Sequence, residues 1–412
     1  MKKNIIAMMG IGLIMLAGLS ACSSNEDIQQ NEFIPIPLTD IEKEVASNSR
    51  NIGIDMLSYL SKQNDGNIVF SPLNLSTAMA MLANGANGET LDELLNVINS
   101  VGTLDDINSL YYKLIANLPA IDKTTDIAFA NSLWINNETG ANPSISFLSS
   151  LNDFYKITPV LTNITSTSAM EQINAWCSNA THGLIKNFIQ SPLPDNTSVF
   201  LASALYFNGR WKTPFDKSKT KTDLFYNDGV NAKEVDMMNG DIEMRALEAD
   251  SYKAVRMPFG NEAYSLCVVL PNQGVDVNDC ILHMKDKEFH NFLIGYSPSM
   301  VHVKMPKLSI ETESNVIDGL KSLGVSSIFD QKKCDLKKIS NGCFISDIIH
   351  KLTLNIDEEG ARMAVATGFK GELADAPAAG EMNFFVDHPF IIMITEKSTM
   401  VPLALGIIRD IP

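Results

Sequence analysis

No two of the six cysteines stand at CxxC spacing. That excludes a zinc ribbon and a thioredoxin-type redox pair. No GxSxG elbow is present to expose a nucleophilic serine on a strained turn. No HExxH sets two imidazoles on one helix face, and no Walker loop or GxGxxG cradles a phosphate. The six histidines are dispersed, at positions 182, 283, 290, 302, 350 and 388. Neighbouring carboxylates such as Glu358 and Glu359 diverge on a strand and do not converge on a substrate. The chain is therefore not expected to be an enzyme, and no cofactor or metal is expected. It also lacks any basic cluster with interleaved aromatics. Its formal net charge of −16 repels nucleic acid phosphates and anionic membranes, so no nucleic-acid partner is expected.

What is there is enough apolar material for a large core. Of 412 residues, 45% are hydrophobic and 19% charged, the balance of a globular chain. The start, MKKNIIAMMGIGLIMLAGLSAC, has a basic end, a short apolar stretch and small residues, the pattern of an export signal. Its last four residues resemble the bacterial lipoprotein cleavage box, which implies removal of residues 1–21 and a lipid on Cys22; an ordinary signal peptide is the alternative. This implies an exported protein anchored to the bacterial outer membrane or cell surface, touching the membrane only through that lipid. The other five cysteines, Cys177, Cys267, Cys280, Cys334 and Cys343, are scattered and read as buried or incidental thiols. A single disulfide stays compatible with an oxidising compartment.

Residues 22–38 begin polar and end in IPIP, which reads as a tether. Helical periodicity starts after a cap at Thr39 or Asp40. It is followed by a short strand-like run, IVF, and a very apolar helical segment. Continuous apolar runs such as SVFLASALYFNGRW suit buried strands. YKAVRMPF, YSLCVVLP and VHVKMPKLSIET also read as strands. Helices gather in the first half and strands in the second, the α+β pattern. No repeat or second linker appears, so residues 39–412 are expected to form one domain.

Several segments in order resemble the serpins, inhibitors of serine and cysteine proteases. They are NIVFSPLNLSTAMAMLANGANGET (67–90), NSLWINN (131–137), INAWCSNATHGLI (173–185), FLASALYFNGRWKTPFD (200–216), VRMPFGNEAYSLCVVLP (255–271), VHVKMPKLSIE (301–311) and LKSLGVSSIFD (320–330). HKLTLNIDEEG, FFVDHPFIIMI and PLALGIIRDI complete the set. The resemblance implies three β-sheets, the central one large, surrounded by about nine helices, with an exposed reactive-centre loop and a metastable native state. It implies a monomer whose partners are target proteases, serine first and cysteine second. The resemblance further implies that a protease would cut the loop, form an acyl-enzyme and be trapped as the loop enters the central sheet. The alternative is a serpin-fold binding or structural protein without inhibition.

The loop reads EEGARMAVATGFKGELADAPAAG, from residue 358 to residue 380. The family's hinge pattern falls on Glu358, Glu359, Gly360, Ala361, Ala364, Ala366 and Thr367. Arg362 and Met363 depart from it; inhibitors usually carry an acid and then Ala there. By parity, Ala361, Met363, Val365, Thr367 and Phe369 make one mostly apolar face. Arg362, Ala364, Ala366, Gly368 and Lys370 make the other, the period of a half-buried strand. Burying Met363, Val365 and Phe369 is worth roughly 5–9 kcal/mol before losses. Counting from Gly360 places the scissile bond at Ala374–Asp375; counting back from VDHPF moves it toward Ala378. Leu373, Ala374, Ala376 and Ala378 suit elastase-like or subtilisin-like proteases. The family's shutter falls on Ser71 and His350. Its second serine and its asparagine stand exchanged, as Asn74 and Ser203, and are expected to hydrogen-bond, so that Asn74→Ala would destabilise the native form or promote spontaneous insertion. Trp211 and Phe215 fit the strand-opening region and are expected to serve packing.

Overall fold

A computed structural model describes residues 31–98, 102–227, 231–295, 298–362 and 380–412. The helices among them are α1 (Asp40–Ser61), α2 (Pro72–Gly85), α3 (Gly88–Ile98), α4 (Leu104–Asn117), α5 (Ile145–Tyr155), α6 (Thr167–Ala180), α7 (Val277–His283), α8 (Lys287–Ile294) and α9 (Ile317–Ser322). The strands are β1 (Ile68–Phe70), β2 (Thr125–Asn136), β3 (Val160–Thr162), β4 (Val199–Arg210), β5 (Lys221–Tyr226), β6 (Ala232–Glu248), β7 (Tyr252–Pro258) and β8 (Tyr264–Pro271). They continue as β9 (Pro298–Pro306), β10 (Leu308–Asn315), β11 (Ile345–Asp357), β12 (Gly360–Arg362), β13 (Glu381–Phe385), β14 (Phe390–Glu396) and β15 (Pro402–Ile408).

Local chemistry explains the elements. Thr39 caps α1 in a reciprocal box: its hydroxyl accepts from the Glu42 amide, and the Glu42 carboxylate accepts from the Thr39 amide at 2.7 Å. Ser71 caps α2 and Pro72 opens it, where a missing N–H costs nothing. Every residue of α2 is buried, as its all-round apolar sequence requires. α6 stops before His182 and Gly183, which both take positive φ and turn the chain out of the helix. β10 alternates strictly between buried and exposed, whereas β8 and β15 are buried throughout, one strand covered on one face and two covered on both.

Ladders join the strands into two sets. The central sheet has the order β10-β11-β12-β4-β2-β3. The other set runs β1-β15-β14-β8-β7-β6-β9-β13, with β5 on β6. The expected smaller sheets are continuous because β6 is 17 residues long. It pairs with β5 and β9 over most of its length and with β7 at its end. The main core lies between α2 and these sheets.

The tether expectation needs correction over residues 31–38. Asn31 donates to Asp122 at 3.1 Å and accepts from the Lys123 amide at 2.9 Å. The Ile36 amide donates to Ser398 at 3.0 Å, and its side chain is buried. The apolar residues of FIPIP supply the reason: Phe33 and Ile36 pack on the core and gain by leaving water. The five cysteines from Cys177 onward are free thiols, four of them buried.

Candidate functional site

The seam between β4 and β11 changes character along its length. At one end the strands pair directly and in parallel, from Ile345 opposite Val199 to His350 opposite Ser203. At the other end β12 lies between them and is antiparallel to both. Ala361 sits opposite Ile356 on one side and Gly209 on the other, and Gly360 opposite Asp357 and Arg210. Between these ends, among the described residues, no ladder pair joins residues 351–354 to β4. Gly360 is required by close approach: a Cβ there would stand 2.1 Å from the Gly209 carbonyl oxygen.

A clasp holds the hinge at the open end. Asp357 Oδ1 accepts from the amides of Glu359 (2.8 Å) and Gly360 (3.3 Å), closing the turn between β11 and β12. The Trp211 indole donates to the Asp357 carbonyl at 2.9 Å, and its amide to the Glu359 carbonyl at 2.9 Å. The Phe215 amide donates to the Glu358 carbonyl at 2.9 Å. Trp211 itself stacks on Phe259 at 4.5 Å between ring centroids. The buried Glu358 carboxylate receives Lys307 Nζ at 2.8 Å and the Thr220 hydroxyl at 2.7 Å. Burial pushes this carboxyl up, but Lys307 and Thr220 outweigh burial and hold it below its ordinary range. Glu359 pairs with Lys217 at the surface.

The shutter lies where β4 and β11 still pair. His350 is buried, and its Nε2 accepts from the Ser71 amide at 2.8 Å. Nε2 is therefore the unprotonated nitrogen. Burial lowers the imidazole to about 4, so it is neutral at pH 7. Phe70 packs edge-on against the ring at 6.3 Å. The Ser71 hydroxyl accepts from the Asn74 amide at 3.2 Å as the cap of α2. The expected bond between Asn74 and Ser203 is not formed. Among the described residues, both side-chain polar atoms of Asn74 and the Ser203 hydroxyl are buried without a hydrogen-bond partner. The physical reason is local: the backbone of Asn74 takes the Ser71 hydroxyl, and helical geometry then fixes where its side chain can reach.

The structure thus brings Ser71 and His350 into contact, and sets Asn74 and Ser203 beside them unpaired. It places Glu358, Glu359, Gly360 and Ala361 in one clasp. Arg362 ends β12, opposite Asn355. Met363, Ala364, Val365, Ala366 and Thr367 lie outside the described residues. So do Leu373, Ala374, Asp375, Ala376 and Ala378 of the reactive stretch, and Cys22. Trp211 does more than pack, since it donates twice to the hinge. Lys307, Thr220 and Asp357 were missed by sequence reasoning. The lysine set between Pro306 and Leu308 in KMPKLSI was the one available signal for Lys307.

A family model described as "Serpin (serine protease inhibitor)" matches residues 47–411. Iripin-8 of Ixodes ricinus is 27% identical over 422 aligned residues, covering 96% of this chain and 98% of its own. A protein of Cyanea capillata named "Serine protease inhibitor" is 28% identical, covering 84% of this chain and 92% of its own. The crystal structure of the thermophilic serpin tengpin in the native state aligns with a TM-score of 0.82 at 25% identity, covering 93% of this chain and 98% of that one.

Proposed function

This chain belongs to the serpin family, and we propose that it inhibits serine proteases as a suicide substrate, with elastase-like or subtilisin-like enzymes as its targets. The observation that carries this reading is β12, already seated between β4 and β11 and antiparallel to both. Continued in the same register, Met363 would fall between Leu354 and Phe207, and Val365 between Leu352 and Leu205. Those four neighbours all belong to the main buried core, so the apolar face of the loop would meet apolar partners. Thr367 would fall between His350 and Ser203, whose buried hydroxyl has no partner among the described residues. Insertion would replace one short parallel pairing by two antiparallel ones, which are somewhat stronger per residue. Completed ladder bonds and apolar burial supply the driving force.

The chemistry is that of an interrupted acyl transfer. The protease serine attacks the carbonyl carbon of Ala374, and the amine of Asp375 leaves with the C-terminal peptide. An ester then joins Ala374 to the protease. The arm from Gly360 to Ala374 inserts, and about 14 residues of strand carry the ester about 46 Å. Hydrolysis requires an intact oxyanion hole, and a protease compressed against the far end of the sheet lacks one.

A panel of elastase-like, subtilisin-like and trypsin-like proteases tests this. The expected result is an SDS-stable complex and a released peptide beginning at Asp375, both read by mass spectrometry. A peptide beginning elsewhere between residues 374 and 379 moves the bond and keeps the mechanism. Two clean fragments without a complex would favour the second reading, a serpin-fold binding protein, for which Arg362 and Met363 in the hinge are the ground. The leader and its terminal Cys22 support anchoring of the inhibitor to an outer membrane by a lipid; mass spectrometry of the mature N-terminus would show an unmodified Cys22 if that anchoring is wrong.

A further inference from the structure

Away from the seam, β6 and β7 place two arginines directly opposite each other, Arg245 and Arg256. Like charges in that position repel across a ladder. Arg256 is only 8% exposed. Arg245 Nη2 donates to the Asn291 carbonyl at 3.2 Å, and Arg256 Nη1 to the Leu293 carbonyl at 2.7 Å, so both serve the C-terminal end of α8. That accounts for one hydrogen bond each from side chains with five donors. Among the described residues, Arg245 Nε and Nη1 and Arg256 Nε are buried with no partner. No carboxylate among the described residues pairs with either guanidinium. Burial and the Arg256 charge together pull Arg245 down to about 10.

Both arginines line a cavity of about 390 Å³. Lys212 and Lys397 line it too, and both pair with Glu262, which with Glu243 supplies its acidic side chains. Four cations thus face two carboxylates, on a chain whose formal net charge is −16. Met244, Ile294 and Pro258 give the cavity an apolar wall. Its volume is that of a small-molecule site. A carboxylate would answer only one of the two guanidinium charges, whereas a phosphoryl group brings three oxygens and up to two charges to the pair. The cavity adjoins the hinge clasp, since Lys212 follows Trp211 and its amide donates to the Pro258 carbonyl at 2.9 Å.

We propose that this cavity binds a small organic phosphate, its phosphoryl oxygens held by Arg245 and Arg256 and its apolar body set against Met244 and Ile294. Calorimetric titration of the intact chain with phenyl phosphate at constant ionic strength tests it, with inorganic phosphate, benzoate and phenol as the other arms. The expected result is saturable one-to-one binding of phenyl phosphate, weaker binding of inorganic phosphate, and none of phenol. Arg245→Gln and Arg256→Gln should each weaken binding about tenfold or more, because each removes a charge-assisted contact. Lys253→Gln, at a surface ion pair outside the cavity, should leave it within about twofold. No saturable binding up to millimolar phenyl phosphate, benzoate binding as tightly as phenyl phosphate, or unchanged binding in Arg245→Gln would each overturn the assignment. Should Arg256→Gln fail to fold, Arg245→Gln decides alone, since its guanidinium is the less buried of the two.

Discussion

Two places on one seam hold the central sheet by different chemistry. At the hinge, Glu358, Lys307, Thr220 and Trp211 form a closed set of hydrogen bonds around the turn that enters β12. At the shutter, His350 Nε2 accepts from the Ser71 amide, while among the described residues Asn74 and Ser203 leave polar atoms unpartnered in the interior. The hinge is thus held by charge-assisted bonds, which are strong and directional. The shutter is held mainly by burial, with unspent hydrogen-bonding capacity beside it. A seam built this way resists opening at its mouth and has its unsatisfied groups deep inside.

The sharpest way to break this comparison is to remove the hinge carboxylate. Glu358→Ala removes the buried carboxylate that Lys307 and Thr220 both donate to, and should lower unfolding stability by about 3 kcal/mol, the range for lost hydrogen bonds to a charged group, since Lys307 itself stays 37% exposed. Urea unfolding measures it; a loss no larger than that of Asn74→Ala would erase the distinction between the two sites. Acidification should separate them next. His350 is lowered from 6.5 to about 4, so the unfolded chain binds the extra proton across that window. Its contribution, about 3 kcal/mol, is complete above pH 6.5 and is lost as the pH falls to 4. Glu358 is also lowered, from 4.5, so its contribution holds above that value and fails only as the pH falls further. A stability profile from pH 8 to 3 should therefore show a first decline that His350→Gln abolishes and a second that Glu358→Gln abolishes.

Gly360→Ala comes third. Its Cβ would meet the Gly209 carbonyl, and the overlap should cost about 2 kcal/mol or expel β12 from the seam. Faster hydrogen exchange at Ala361 would report the expulsion, and unchanged exchange would argue against a tight hinge. The smallest effect belongs to the shutter. Asn74→Ala removes two unpartnered polar groups and leaves the cap bond from its own backbone, so stability should change by less than about 1 kcal/mol. That replaces the expectation that this substitution destabilises the native form.

Particular residues show why some of this was legible. The Glu358-Glu359-Gly360 turn is a local pattern, and a local pattern can be read without knowing what lies across from it. The alternation of β10 and the apolar runs of β4 and β8 are local too, because side-chain period follows directly from strand geometry. Lys307 and Thr220 gave no comparable signal. They are far from Glu358 in sequence, and an isolated lysine or threonine carries no mark of its partner. The Asn74 and Ser203 exchange was visible, but its consequence depended on where a helix cap had already committed the Asn74 backbone. The IPIP stretch misled because prolines suggest extension, while packing is decided by whether an apolar surface lies within reach.

By itself the sequence determined the α+β class, the family, the hinge glycine and the two-faced loop after it, since each depends on residue type and spacing along one strand of chain. Only the tertiary structure decided that β12 is already seated, that Trp211 and Lys307 hold it there, that the shutter carries unpaired groups, and that two arginines share a cavity. Those facts depend on which distant side chains meet, and at the seam that is set by ladder register across three strands.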